Sequence, residues 1–128
     1  MSGDDALKDF LNRWLRAWTG NDPAGLMEFY AEDAFYSDPA LRAGIRGRDA
    51  ILNYFSKLLA ANPAWEWNLL EVLAFSGGCA VKWQATIPAS GAAVIEEGLD
   101  IVEIREGKIT RNEVYFDRTG LLRTMRRI

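Results

Sequence analysis

Trp65-Glu66-Trp67-Asn68-Leu69 (WEWNL, residues 65–69) is the point at which the pattern of this 128-residue chain changes. Trp65, Trp67 and Leu69 alternate with Glu66 and Asn68, the two-residue period of a half-buried strand. Upstream of Asn62-Pro63 the apolar residues recur at three- and four-residue spacing. Helices followed by strands is an α+β order, and that order limits the fold to helices packed against an antiparallel meander.

Working upstream, Ile51, Phe55, Leu58 and Leu59 form one stripe of a helix that starts at Gly47-Arg48-Asp49 and ends near Ala61. Leu7, Phe10, Leu11, Trp14, Leu15 and Trp18 form the stripe of a first helix over Asp4 to Trp18. Gly20-Asn21-Asp22-Pro23 closes it and opens a short second helix, expected from Pro23 to Tyr30, with Asp22 as N-cap and Pro23 at the first helical position. A first strand is expected over Ala34 to Ser37, and Leu41 to Gly47 reads as a loop. Downstream, Ser76-Gly77-Gly78 is a hairpin turn and Cys79 to Ile87 the returning strand. Pro88 to Gly91 breaks it. Val94 to Ile104 is a long strand, Glu106-Gly107 a turn, Lys108 to Phe116 the last strand, and a terminal helix starts near Gly120. No linker or repeat divides residues 1–128, which read as one domain.

Composition restricts the chemistry. Apolar residues make up 49% of the chain, enough to enclose a core. The net charge of −3 is spread along the chain and sets up no field for nucleic acid. Arg123, Arg126 and Arg127 form a basic tail that a last helical turn accounts for. The polar N-terminus has no signal-peptide core and no apolar run is long enough to span a membrane. The lone Cys79 forms no disulfide within the chain, which suits a reducing, cytoplasmic setting. Histidine is absent. His-based triads and most zinc or iron sites are thereby excluded, and acid–base work falls to Asp, Glu, Tyr, Lys or Cys79. Without a phosphate-binding glycine loop or a Cys/His ligand pattern, no cofactor and no metal are expected.

Two aspartates interrupt apolar strands. In Phe29-Tyr-Ala-Glu-Asp-Ala-Phe-Tyr-Ser-Asp-Pro39, Asp38 ends a strand and shares a face with Tyr36 and Ala34. It reads either as a turn former before proline or as a carboxylate at the mouth of a cavity. Asp100 shares its parity with Gly98, Val102 and Ile104. If that face is interior, the carboxyl is desolvated and holds its proton more tightly; otherwise it meets water or a partner subunit. Trp14, Tyr36, Trp83 and Phe116 are core aromatics that could also wall a ligand site. Trp65 and Trp67 share one face and could meet a partner subunit. Glu96, Glu97 and Glu113 read as solvated or interfacial charges, Arg42, Arg46 and Arg48 as surface charge, and Tyr115 and Asp117 as structural.

The helix, the Gly20-Asn21-Asp22 turn, Phe29-Tyr30-Ala31-Glu32-Asp33-Ala34, Gly47-Arg48-Asp49-Ala50-Ile51, Glu106-Gly107-Lys108-Ile109 and Tyr115-Phe116-Asp117 together resemble the SnoaL-like branch of the NTF2-like superfamily. The resemblance covers nearly the whole chain. It implies a curved antiparallel sheet wrapped around three to four helices, with a cone-shaped apolar pocket between them and dimers paired across the outer sheet face. It is not specific for function, because the superfamily contains isomerases, polyketide cyclases, epoxide hydrolases and binding modules.

Compared with ketosteroid isomerase, Asp38-Pro39 matches the aspartate base and Asp100 the protonated aspartate that donates to the enolate oxygen. The oxyanion tyrosine of that enzyme is replaced by Trp14, a departure. A supporting tyrosine falls on Phe55, with Tyr54 adjacent. Compared with limonene epoxide hydrolase, Tyr36 matches a water-binding tyrosine, but Val81, Trp83 and Val114 occupy the places of the catalytic charges. The resemblance therefore implies a cofactor-free proton-transfer enzyme, an isomerase or cyclase, acting on a small hydrophobic carbonyl compound. Asp38 and Asp100 would be catalytic, with Trp14, Tyr36, Tyr54, Phe55, Trp83, Val114 and Phe116 around the substrate. The alternative is a binding or dimerisation module without turnover.

Overall fold

A computed structural model describes residues 3–89 and 91–117. These residues form helices α1 (Gly3–Ala17), α2 (Pro23–Met27) and α3 (Arg48–Ala61). The strands are β1 (Tyr30–Asp38), β2 (Leu41–Arg46), β3 (Glu66–Phe75), β4 (Gly78–Ala89), β5 (Ala92–Arg105) and β6 (Lys108–Tyr115). The strands make one curved, unclosed sheet in the order β2-β1-β6-β5-β4-β3. The long β3–β6 meander is antiparallel, and β1 joins it by parallel pairing with β6. The α+β cone implied by the sequence is the fold observed.

The helices fill the concave face. Leu11, Trp14 and Leu15 of α1, together with Trp18 just beyond it, are buried, as are Ile51, Phe55 and Leu59 of α3. The expected stripes are therefore the packed ones, with Leu58 half-buried beside them. Asp22 caps α2 by accepting from the Gly25 N–H at 3.0 Å.

The structure departs from expectation at the α2–β1 junction, at Leu41–Arg46 and at the end of β4. Helix α2 stops at Met27, and β1 begins at Tyr30 rather than Ala34. The parallel partner captures this stretch, with Tyr30 opposite Ile109 and the Ile109 N–H bonded to the Phe29 carbonyl. The adjacent charges Glu32 and Asp33 hide a two-residue period, and the ladder register shifts between Tyr30 and Phe35. Leu41–Arg46, expected as a loop, is an edge strand paired with β1. Gly44 makes that edge possible: at φ +76° it accepts a backbone conformation other residues resist, and a Cβ there would fall 2.2 Å from the Phe35 ring. Strand β4 also runs through Pro88, which lies past the last β3 pairing at Thr86 and so leaves that ladder intact. The terminal helix expected from near Gly120 lies outside the described residues.

Cross-strand register fixes which side chains face the helices. One row runs Val72–Val81–Asp100–Val114 and the next Ala74–Cys79–Val102–Asn112, with Val81, Cys79, Val102 and Asn112 fully buried. Trp67 also faces inward, opposite Ala85. Its ring lies 6.0 Å from Trp18 and 6.1 Å from Trp65, which precedes β3, and both indoles stand on the inner, cavity side rather than on the outer face. The outer face instead exposes Leu73, Phe75, Ile95, Leu99 and Tyr115.

Candidate functional site

Between α1, α3 and the concave sheet lies a cavity of about 270 Å³. Its wall is largely aromatic and aliphatic, and it includes both Asp38 and Asp100. Tyr36, Tyr54, Trp83, Val114 and Phe116 line it as well.

Asp38 sits where β1 turns into β2, and its two carboxyl oxygens do different things. Oδ1 accepts from the Ala40 N–H at 2.9 Å, the hydrogen bond of a turn-forming aspartate. Oδ2 accepts from two phenols, Tyr36 at 2.9 Å and Tyr54 at 2.8 Å. The turn reading and the cavity reading both hold, each on one oxygen. Tyr36 is buried, and burial followed by the neighbouring Asp38 charge holds its phenol well above the usual tyrosine range. It therefore remains a hydrogen-bond donor to the carboxylate.

Asp100 is only 3% exposed on the inner face of β5. Oδ1 accepts from the Trp83 indole N–H at 2.7 Å and Oδ2 from the Asn112 amide at 2.8 Å. Asn112 in turn accepts from the Tyr30 hydroxyl at 2.7 Å, and Tyr30 accepts from the Trp14 indole at 3.0 Å. An indole N–H can only donate. With a tryptophan at each end, every bond in the chain has a fixed direction, and Asp100 is the acceptor on which both arms converge. Among the described residues no buried side-chain polar atom lacks a partner.

Burial pushes the Asp100 carboxyl up from 3.8 to about 7; the Asn112 and Trp83 donors pull it back, and the Asp38 charge adds a further upward push. Tyr30 is likewise raised, chiefly by burial. Cys79, on the row beside Asp100, is pushed up to about 11 by burial and by the Asp100 charge, so it stays a thiol.

Trp83 owes its orientation to a glycine. A Cβ on Gly98 would fall 2.3 Å from Cζ2 of the Trp83 ring and 3.0 Å from Cβ of Phe116. The bare backbone of β5 thus lets the indole lie flat across it, which carries Nε1 to Asp100.

The structure moves two expected wall residues out of the cavity. Trp14 is fully buried behind it, with its N–H spent on Tyr30. Phe55 is also behind the wall, with its ring 4.9 Å from Trp18, 5.3 Å from Tyr30 and 5.0 Å from Tyr36. Both lie on helix faces turned to the core. Sequence reasoning passed over Asn112 and Tyr30. Asn112 carries the same signal as Asp100, a polar residue on the buried parity of a strand, and Tyr30 was hidden by the misplaced start of β1. Glu96, expected to be solvated or interfacial, lines the cavity. Arg48 is more than surface charge, since it donates to the Tyr30 carbonyl at 3.3 Å.

No group of three metal-capable side chains occurs among the described residues, and no described helix is long and apolar enough to cross a membrane.

A curved α+β sheet wrapped around helices is the fold of the ketosteroid isomerase-like and SnoaL-like proteins. A family model for the SnoaL-like domain matches residues 11–112, and the chain belongs to that family. It is 31% identical over 111 residues to a steroid Delta-isomerase of Nocardioides simplex, covering 86% of this chain and 89% of that one. Among solved structures it resembles a protein of ketosteroid isomerase-like fold from Catenulispora acidiphila, determined in complex with trimethylamine. That match has a TM-score of 0.78 at 20% identity and covers 90% of each chain. It also resembles a candidate SnoaL-like polyketide cyclase from Jannaschia sp. CCS1, with a TM-score of 0.75 at 12% identity over 91% and 88% of the two chains. At these identities the structural matches define the fold.

Proposed function

We propose that this protein is a cofactor-free proton-transfer enzyme, an isomerase or cyclase acting on a small hydrophobic carbonyl compound. The observation that carries this reading is the pairing of unlike carboxyls in one apolar cavity. Asp38 is held as an acceptor by two phenols and a backbone N–H. Asp100, deeply buried, retains its proton to near neutral pH. Such a division of roles is what enolisation needs.

In the proposed step Asp38 removes the proton alpha to the carbonyl, and the C–H electron pair moves into the C–C bond as the carbonyl becomes an enolate. The Asp100 O–H donates to the enolate oxygen. Its own oxygens already accept from Trp83 and Asn112, so the hydroxyl hydrogen is left for the ligand. Return of the proton from Asp38 to a different carbon completes an isomerisation; attack of the enolate carbon on a second carbonyl, whose oxygen becomes an alkoxide and takes up the proton held on Asp38, completes a cyclisation. The likeness to the Nocardioides simplex steroid Delta-isomerase supports the first outcome.

The test is hydrogen–deuterium exchange at the alpha carbon of cyclic enones and aryl ketones in D₂O, followed by NMR. Asp38→Asn should slow exchange by roughly 100-fold or more while ligand affinity stays within a few-fold. Exchange that survives this substitution removes Asp38 from the mechanism.

A second reading, a binding protein without turnover, is favoured by Trp14. It lies behind the cavity wall and its N–H serves Tyr30, so it supplies none of the oxyanion donation that the resemblance to ketosteroid isomerase implies for that position. A missing donor is worth about 3 kcal/mol of barrier. We further assign the exposed outer-face residues Leu73, Phe75, Leu99 and Tyr115 to a homodimer contact and the protein to the cytoplasm. Sedimentation of the wild type against a Leu73→Lys variant tests the dimer.

A further inference from the structure

The charged side chains that line the cavity are Asp38, Glu96 and Asp100, and no described lysine or arginine joins them. Asp38 and Asp100 are engaged by donors from the protein. Glu96 is different. Its neighbour Glu97 points outward and pairs with Lys82 at 3.7 Å, whereas Glu96 has the opposite parity and no described ion-pair partner.

Register explains what surrounds it. Glu96 lies opposite Ala85, and Ala85 opposite Trp67, so the carboxylate and the indole flank a small residue on one inward row. Trp67 and Trp65, both in the cavity wall, stand with ring centroids 6.1 Å apart at 46°. Along β5, Glu96 is four residues from Asp100, about 13 Å between Cα positions. An inward carboxylate beside tilted indoles, above a notch left by an alanine, has the chemistry that receives an alkylammonium group. A neutral steroid-like or aryl ketone would leave this carboxylate without a counter-charge. An anionic one would meet three carboxyl groups.

We propose that Glu96, with Trp65 and Trp67, forms a subsite for a protonated amine, and that the preferred ligands are hydrophobic ketones bearing a cationic nitrogen remote from the carbonyl. The proposal rests on the carbonyl reading above for which end of the ligand meets Asp100. The protonated amine itself follows from the wall.

Three probes of nearly equal shape test it: 2-acetylnaphthalene carrying at C6 a dimethylaminomethyl group, an isobutyl group or a carboxymethyl group. Their affinities are read by quenching of tryptophan fluorescence at neutral pH. The cation should bind about tenfold more tightly than its isobutyl isostere, and the carboxylate more weakly than either. Glu96→Gln should lower the cation-to-isobutyl ratio at least about fivefold and leave isobutyl binding within about twofold. High salt should reduce the ratio in the wild type but not in the variant. Equal binding of cation and isostere, no binding of the cation, or a ratio unchanged in Glu96→Gln would each overturn the subsite. Deuterium exchange on the same probes separates the two ideas. If the affinity ratio holds while no probe exchanges its acetyl protons, the subsite stands and the enzyme reading fails.

Discussion

Replacing Asp100 by Asn tests the electrostatics of the cavity without any knowledge of the ligand. In the folded protein Asp100 loses its proton at about 7, against 3.8 ordinarily. The folded state therefore binds the proton more tightly than the unfolded chain. Its contribution to stability is complete below about pH 4 and is lost as pH rises, levelling off above about 7. The full loss corresponds to about 4 kcal/mol, of which roughly 2 to 3 kcal/mol falls between pH 5 and pH 8. The asparagine variant has no such titration, but it has a hydrogen-bond cost. Its Oδ1 can accept from Trp83, which leaves its amide facing the amide of Asn112. If Asn112 turns over, its own amide meets Tyr30, whose oxygen already accepts from Trp14. Either way one buried donor is left unpaired, at a cost of about 1–3 kcal/mol independent of pH. Asp100→Asn should thus match the wild type near pH 5 and exceed it by about 2 kcal/mol at pH 8. Urea unfolding of both proteins at the two pH values measures the difference, and subtraction removes the other carboxylates. Parallel loss of stability in the two proteins would mean that Asp100 is hydrated, and the argument for a protonated donor would fail with it.

Other substitutions probe the parts that hold the site. Gly98→Ala should push the Trp83 ring off β5, break its bond to Asp100 and cost about 1–3 kcal/mol; near-ultraviolet circular dichroism and urea unfolding report both effects. Asn112→Leu removes a donor that lowers the Asp100 carboxyl, so carbon-13 titration should find Asp100 above about 7, and the orphaned Tyr30 hydroxyl should add a destabilisation of about 1–3 kcal/mol. Asp22→Ala removes the cap of α2 and should cost about 1 kcal/mol in urea unfolding with no change in cavity affinity.

The parts of the fold legible in the sequence were those with strong period. The stripe of α1 and the alternation of β3 are written in spacings that survive any register. The start of β1 and the edge strand β2 are written elsewhere, in the pairing partners β6 and β1, and a local reading of Glu32-Asp33 or of Arg42-Ala43-Gly44 cannot find them. The same limit applies to the site. Asp100 stood out because a carboxyl interrupts an apolar parity, but Asn112 carries an equally good signal on β6, and its meaning depends on lying one strand from Asp100 with Tyr30 within reach. Which wall residues reach the cavity is likewise a matter of depth. Trp14 and Phe55 belong to the right helices and fall one layer too deep.

Trp14 stands where the resemblance to ketosteroid isomerase implies a tyrosine, and the structure shows where its N–H goes. A phenol there could both accept and donate within the buried layer behind the cavity wall. An indole can only donate, and its N–H goes to Tyr30. The donor is not lost from the protein; through Tyr30 and Asn112 it is redirected onto Asp100. Two N–H donors on a buried carboxyl lower its proton affinity, opposing the effect of burial, and the balance falls near neutral pH rather than far above it. If Asp100 is the oxyanion donor proposed above, it is more acidic and gives a stronger hydrogen bond to an enolate, but it becomes a carboxylate as pH rises through about 7. The proposed proton transfer should therefore slow as pH rises through about 7, measured as the pH profile of alpha-proton exchange, a dependence that a phenol donor would not show in that range.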